Sequence, residues 1–174
     1  MSLSVRVQMS MLDVFKSIIE TYSLTGIFVI SLVSNAIPYM TIPYLLLVIV
    51  YSATVTNPLF KILIIFFSGL GASLGKVIVY IYGYSIRYVL SEETKNRMSK
   101  FIDIFKRSTF IAILAFSMTP LPDDILYIPI GLLKYDLKRY FTAVFIGKTM
   151  LTALATYYGS VVHKALFEQT LIPL

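Results

Sequence analysis

Thirty-five consecutive residues, Tyr22 to Thr56, carry no charge, yet Pro38 and Pro43 interrupt them in the string NAIPYMTIP. As one straight helix this run would rise about 52 Å, against a bilayer hydrocarbon core of about 30 Å. Each proline removes a backbone donor and clashes with the preceding turn, so the run is expected to break there and turn back. Asn35, just ahead of the first proline, is suited to satisfy backbone groups freed at the break or to face a second polar element.

Composition extends the argument to the whole chain. Hydrophobic residues make up 57% and charged residues 14% of the 174 residues, where a soluble domain averages about 25% charged. A water-soluble domain is thereby excluded, and a single all-α integral membrane domain over residues 1–174 is expected. The excess of 15 Lys and Arg over 9 Asp and Glu reads as orientation signals in so apolar a chain, and no nucleic-acid partner is expected. With one His and no Cys, neither a metal centre, a cofactor nor a Ser-His-Asp arrangement is indicated, and no enzyme activity is expected. Residues 1–21 lack the long apolar core of a signal peptide. Met11, Leu12, Phe15, Ile18, Ile19 and Tyr22 recur at helical spacing, which predicts an amphipathic N-terminal helix that stays on the protein.

Further along, Leu59 to Tyr84 is long enough to span and contains the GxxxG of Gly71 and Gly75, a pattern that allows close helix packing. Residues 85–107 form the one extended polar stretch, rich in Arg and Lys and so expected on the cytoplasmic side of a multi-pass protein of the cell membrane, with an amphipathic helix from Glu92 to Lys106. Ser108 to Leu133 is apolar again but flanked by basic residues at both ends. A segment that enters and returns on one side reconciles the two clusters, with Pro120 and Pro122 at its turn and arms of roughly 18 Å. Tyr140 to Val162 spans once more, and 165–174 is a tail.

A shift of 76 residues superposes YIYGYSIRYVLSE, from Tyr80, on TYYGSVVHKALFE, from Thr156, matching Tyr82, Gly83, Leu90 and Glu92 to Tyr158, Gly159, Leu166 and Glu168. The same shift sets the two proline-broken segments opposite one another. Residues 22–84 and 108–164 then read as two repeats, each a re-entrant helical hairpin plus a spanning helix. A unit that crosses once reverses its successor, so the expected plan is an inverted repeat whose hairpins meet near the midplane, as in transporters that build sites from broken helices.

Asp123 and Asp124 would then sit at a hairpin tip. An ionised carboxylate at mid-membrane costs about 2.5 to 3.5 kcal/mol, so such residues usually face a cavity. In a shallower hairpin they would serve as N-cap residues for the arm beginning at Ile125, and the two roles can coexist. Two adjacent carboxylates in low dielectric repel as anions, which makes proton coupling possible. Lys148, two turns into the last helix, is suited to pair with an Asp, to hold an anionic head group, or to snorkel to the interface. Lys76 raises the same question in the first spanning helix. Lys134, Lys138 and Arg139 serve as orientation signals with access to lipid phosphate. The substrate or proton path is expected along Asp123, Asp124, Lys148, Arg139 and Asn35, with the breaks at Pro38, Pro43, Pro120 and Pro122.

The stretch TPLPDDILYIPIGLLKYDLKRYFTAVFIGK, Thr119 to Lys148, resembles the DedA family, also called SNARE-associated or VTT-domain proteins, and within it the YqaA-like branch. The resemblance rests on Pro120 and Pro122, the acidic residue at 123 or 124, Gly131, and the Gly147-Lys148 pair. It implies paired re-entrant hairpins and the flipping or scrambling of lipids or lipid-linked carriers, with an anionic phospholipid or polyprenyl phosphate as partner. Where better-studied members carry an acidic residue ahead of the first prolines this chain has Asn35. Where they carry arginines near the second hairpin it has Phe116-Ser117-Met118. A phosphate would therefore depend here on Asp123, Asp124 and Lys148. The alternatives are a proton- or ion-coupled transporter of a small soluble substrate and a membrane scaffold acting through the helix at 92–106; a homo-oligomer stays open.

Overall fold

Asn57 and Pro58 begin the helix around which the others are arranged. The Asn57 carboxamide oxygen accepts from the Leu59 amide at 2.9 Å, and Pro58 occupies the first helical position, where its missing donor costs nothing. The structure, a computed structural model, describes residues 22–38, 44–86, 88–103, 108–120 and 123–168, with 98–99, 101–103 and 160–168 described by backbone alone. The expected N-terminal helix at 1–21, Pro43, Pro122, the apolar side of the linker helix and the tail side chains lie outside what is described.

Among the described residues every regular element is a helix. These are α1 (Tyr22–Ala36), α2 (Tyr44–Thr54), α3 (Pro58–Ile86), α4 (Glu92–Asp103), α5 (Thr109–Ser117), α6 (Asp124–Leu132) and α7 (Leu137–Glu168). Both proline-rich stretches thus fall between helices, one from 37 to 43 and the other from 118 to 123. The resulting arms of 15, 11, 9 and 9 residues rise about 22, 16, 13 and 13 Å, each short of a bilayer core. α3, at 29 residues, is long and apolar enough to cross one. α7, at 32 residues, is longer than the expected span and carries Lys138, Arg139 and Lys148.

α1 and α2 lie side by side. Ser23 at the start of α1 meets Tyr51 near the end of α2, hydroxyl to hydroxyl at 3.2 Å, while Ile27 and Ile30 pack with Val48 between them. In the second pair Ser117, the last residue of α5, is bonded to Tyr127 in the first turn of α6 at 2.6 Å. The long helices α3 and α7 cross antiparallel, with Gly69 against Thr149 and the Tyr140 hydroxyl donating to the Lys76 carbonyl at 2.9 Å. α1 packs on α3 and α5 on α7, whereas α2 packs on α7 and α6 on α3. The second arm of each pair therefore rests against the long helix of the other half.

Small residues set the spacing. A Cβ at Gly75 would strike the backbone of Leu32, Asn35 and Ala36, so this half of the GxxxG seats the end of α1 against α3. Gly83 of α3 abuts Ile128 of α6, and Gly131 of α6 abuts Tyr80 of α3, a reciprocal pair that brings the two backbones into contact.

Polarity is inverted relative to a water-soluble fold. Ser31, Ser68, Ser73, Ser117 and Thr152 are fully buried, with Ser31 and Ser68 bonded to each other at 3.0 Å, while Leu59 is 70% exposed and Ile62 and Ile111 also face outward. Leaving this much apolar surface outside and hydroxyls inside suits a hydrocarbon surrounding.

Candidate functional site

Asp123 directly precedes α6 in helical backbone geometry, at the N-cap position, yet its side chain makes no capping hydrogen bond. Capping, the alternative role open to this pair, is therefore not what the Asp123 carboxylate does. It turns inward, where Asp123 is 2% and Asp124 4% exposed, and meets two lysines from the two long helices, Lys76 at 6% and Lys148 at 4%.

The Lys76 ammonium lies 2.9 Å from Asp123 Oδ1 and donates to Asp124 Oδ1 at 2.7 Å. Lys148 Nζ lies 2.5 Å from Asp123 Oδ2, as an ion pair without hydrogen-bond alignment. Two anions thus face two cations. The mutual repulsion on which the proton-coupling expectation rested is offset here by both lysines, each of which would otherwise be an uncompensated buried charge.

Tyrosines wall the cluster. Tyr127 presents its ring 5.9 Å from Lys76 Nζ, and its hydroxyl bonds Ser117. Because Ser117 spends its one hydrogen on the Ile113 carbonyl at 2.6 Å, Tyr127 is the donor. Tyr140 packs edge-on to Tyr127 at 5.4 Å and beside Tyr80 at 4.9 Å, and Tyr80 donates to the Tyr135 carbonyl. This layer ties α3, α6 and α7 together immediately beside the charges.

The first pair of arms approaches from the other side. Asn35 is buried at the end of α1, where its carboxamide donates to the Ser31 carbonyl at 2.8 Å and its backbone touches Gly75, next to Lys76. The Tyr44 hydroxyl, at the start of α2, is buried without a hydrogen-bond partner among the described residues; it sits beside Asn35 and within electrostatic reach of Asp123 and Lys76. Along α7 a buried polar stripe of Lys148, Thr152 and Thr156 continues away from the cluster at one residue per turn, about 12 Å in all.

Asp123, Asp124 and Lys148 are thus brought together, with Asn35 alongside. Arg139 is not: it is exposed in the first turn of α7, nine residues or about 13 Å from Lys148, where its amide is capped by Asp136 at 2.8 Å. Pro38 and Pro120 lie in the breaks. Lys76 is the member whose place the sequence only hinted at, as a lone cation deep in an apolar helix. Tyr44, Tyr127 and Tyr140 gave no such sign, since aromatic residues are common throughout the chain.

A family model described as the VTT domain matches residues 26–161. No curated protein and no solved structure shows a significant match to the chain.

Proposed function

The chain belongs to the VTT-domain family, the membrane-associated DedA or SNARE-associated proteins, and on that footing we propose that it lets an anionic lipid or lipid-linked carrier cross the bilayer along a polar path between two opposed re-entrant hairpins. The buried network of Lys76, Lys148, Asp123 and Asp124 carries this reading, because charges buried within apolar membrane segments are costly and characteristically mark substrate or ion paths. Arms too short to span, the antiparallel crossing of α3 and α7, and the exchange of second arms between halves support hairpins that enter from opposite faces.

In this mechanism a phosphate head group enters between the arms and competes with the carboxylates for Lys76 and Lys148. Asp123 and Asp124 hold both lysines inward while the site is vacant and reclaim them when the head group leaves. The carboxylates thereby gate the path, and a proton taken up when an ammonium swings away would couple transport to pH. By its basic content the linker at 85–107 faces the cytoplasm, in a multi-pass protein of the cell membrane.

Reconstitution with a labelled phosphatidylglycerol tests it. The combined Asp123→Ala, Asp124→Ala and Lys148→Ala variant, inserted and monodisperse, is expected to lose transport; undiminished transport by that variant sinks the site.

A further inference from the structure

One to two helical turns along α3 and α6 from the charged cluster, the surface opens into an apolar groove of about 550 Å³. Ile37 and Pro38 from the first break form one wall, Tyr82, Ile86 and Val89 from the end of α3 and the following turn form another, and Ile128 of α6 closes the third. Ser85 and Tyr82 supply the two hydroxyls among these residues. Water in such a groove would find too few polar partners, whereas a hydrocarbon chain would lose nothing by entering.

We propose that this groove holds the hydrocarbon chain of a membrane lipid whose charged head is drawn to Lys76 and Lys148. The inference rests on the lipid-transport reading above and assigns it a chain-binding site. Ile128 is one helical turn beyond Asp124, and Tyr82 is six residues, about 9 Å, beyond Lys76 on α3. The groove therefore begins within a head group's length of the cluster. Its rim is outward-facing and apolar, with Val89 87% exposed and Ile37, Tyr82 and Ile86 each nearly half exposed. Gly83 of α3 lies against the backbone of Ile128, so the spacing of the α3 and α6 walls is set by helix packing. Ile37 and Pro38 follow α1 and Ile128 lies in α6, so a chain seated there contacts both halves of the protein at once.

The chain contains no Trp, so one introduced Trp is a clean reporter. Val89→Trp at the rim and Ile62→Trp, exposed on the other end of α3, would be compared in phosphatidylcholine vesicles containing a minor fraction of phosphatidylglycerol with brominated acyl chains. Quenching at Val89→Trp is expected to exceed that at Ile62→Trp by roughly twofold or more. The excess should vanish when Ser85→Phe fills the groove, or Ile37→Phe if the first variant does not fold. Equal quenching at both positions, as when a second copy or another protein segment covers the groove, overturns the proposal, as does an excess that survives filling. Transport of the same lipid, measured in parallel, separates the two ideas: excess quenching without transport sinks the transport reading and keeps the groove, and transport without excess quenching does the reverse.

Discussion

Lys76 Nζ lies within 2.9 Å of Asp123 and 2.7 Å of Asp124, so that one cation from α3 holds both carboxylates at the start of α6. Among the described residues Lys148 pairs with Asp123 alone. This asymmetry ranks the two lysines. Removing one partner of a buried pair costs about 3–5 kcal/mol because the other charge is left uncompensated. Lys76→Met removes the cation that both carboxylates touch, while Lys148→Met leaves Asp123 its contact with Lys76. Lys76→Met is therefore expected to lower the thermal midpoint in detergent more than Lys148→Met, and the reverse order would contradict the network.

The pair itself is expected to be strongly coupled. Asp123→Leu and Lys148→Leu each leave a buried charge short of a partner, but together they remove both. The loss of stability in the double variant should fall short of the sum of the single losses by about 0.5–3 kcal/mol, measured by denaturation of all three variants. Additive losses would mean that the 2.5 Å contact does not persist in solution.

Gly131→Ala tests the backbone contact between α6 and α3. The new methyl would meet the Tyr80 carbonyl oxygen, which cannot swing away as a side-chain end could. Separation of the helices should cost about 1–3 kcal/mol and draw Asp124 off Lys76. A variant as stable as the parent would show that the two helices are not so closely joined.

Lys134 adopts a left-handed backbone, φ 56°, in the turn after α6, and its ammonium lies 5.7 Å from the Tyr84 ring centre. The conformation costs a non-glycine residue roughly 1–2 kcal/mol, and an exposed cation over a ring returns about 0.5–1 kcal/mol. Lys134→Gly should therefore stabilise the fold by up to about 1 kcal/mol, read as a raised midpoint. A clear fall would mean that the ring contact outweighs the strain.

Asp136→Ala removes the carboxylate that caps the Arg139 amide at the start of α7. A loss of about 1 kcal/mol is expected, with transport per folded molecule unchanged because Asp136 lies twelve residues, about 18 Å along α7, before Lys148. Loss of transport at full stability would assign Asp136 a part in the path.

Much of this architecture is written locally. α1 ends two residues before Pro38 and α5 three before Pro120, so these helix ends follow from nearby residues, as does the start of α3 at Asn57-Pro58. Asp123, Asp124 and Lys148 stood out for a similarly local reason, since a charge in an apolar segment is anomalous whatever surrounds it. The end of α7 was less legible: the span expected to end at Val162 continues as helix to Glu168.

Partnership is another matter. Lys76 and Asp124 are 48 residues apart, and no spacing rule links them; Arg139, equally basic and nearer in sequence to Asp124, ends up exposed. Tyr44, Tyr127 and Tyr140 acquire their places beside the charges only because the arms fold back and the glycines let α3 approach α1 and α6. The sequence by itself determined the apolar surroundings, the helix breaks and the presence of buried charge, because these depend on hydrophobicity and on backbone chemistry within a few residues. Which lysine meets which carboxylate was decided by the tertiary structure alone, because desolvation forces every buried charge to find a partner and only the packing of α3, α6 and α7 sets who is within reach.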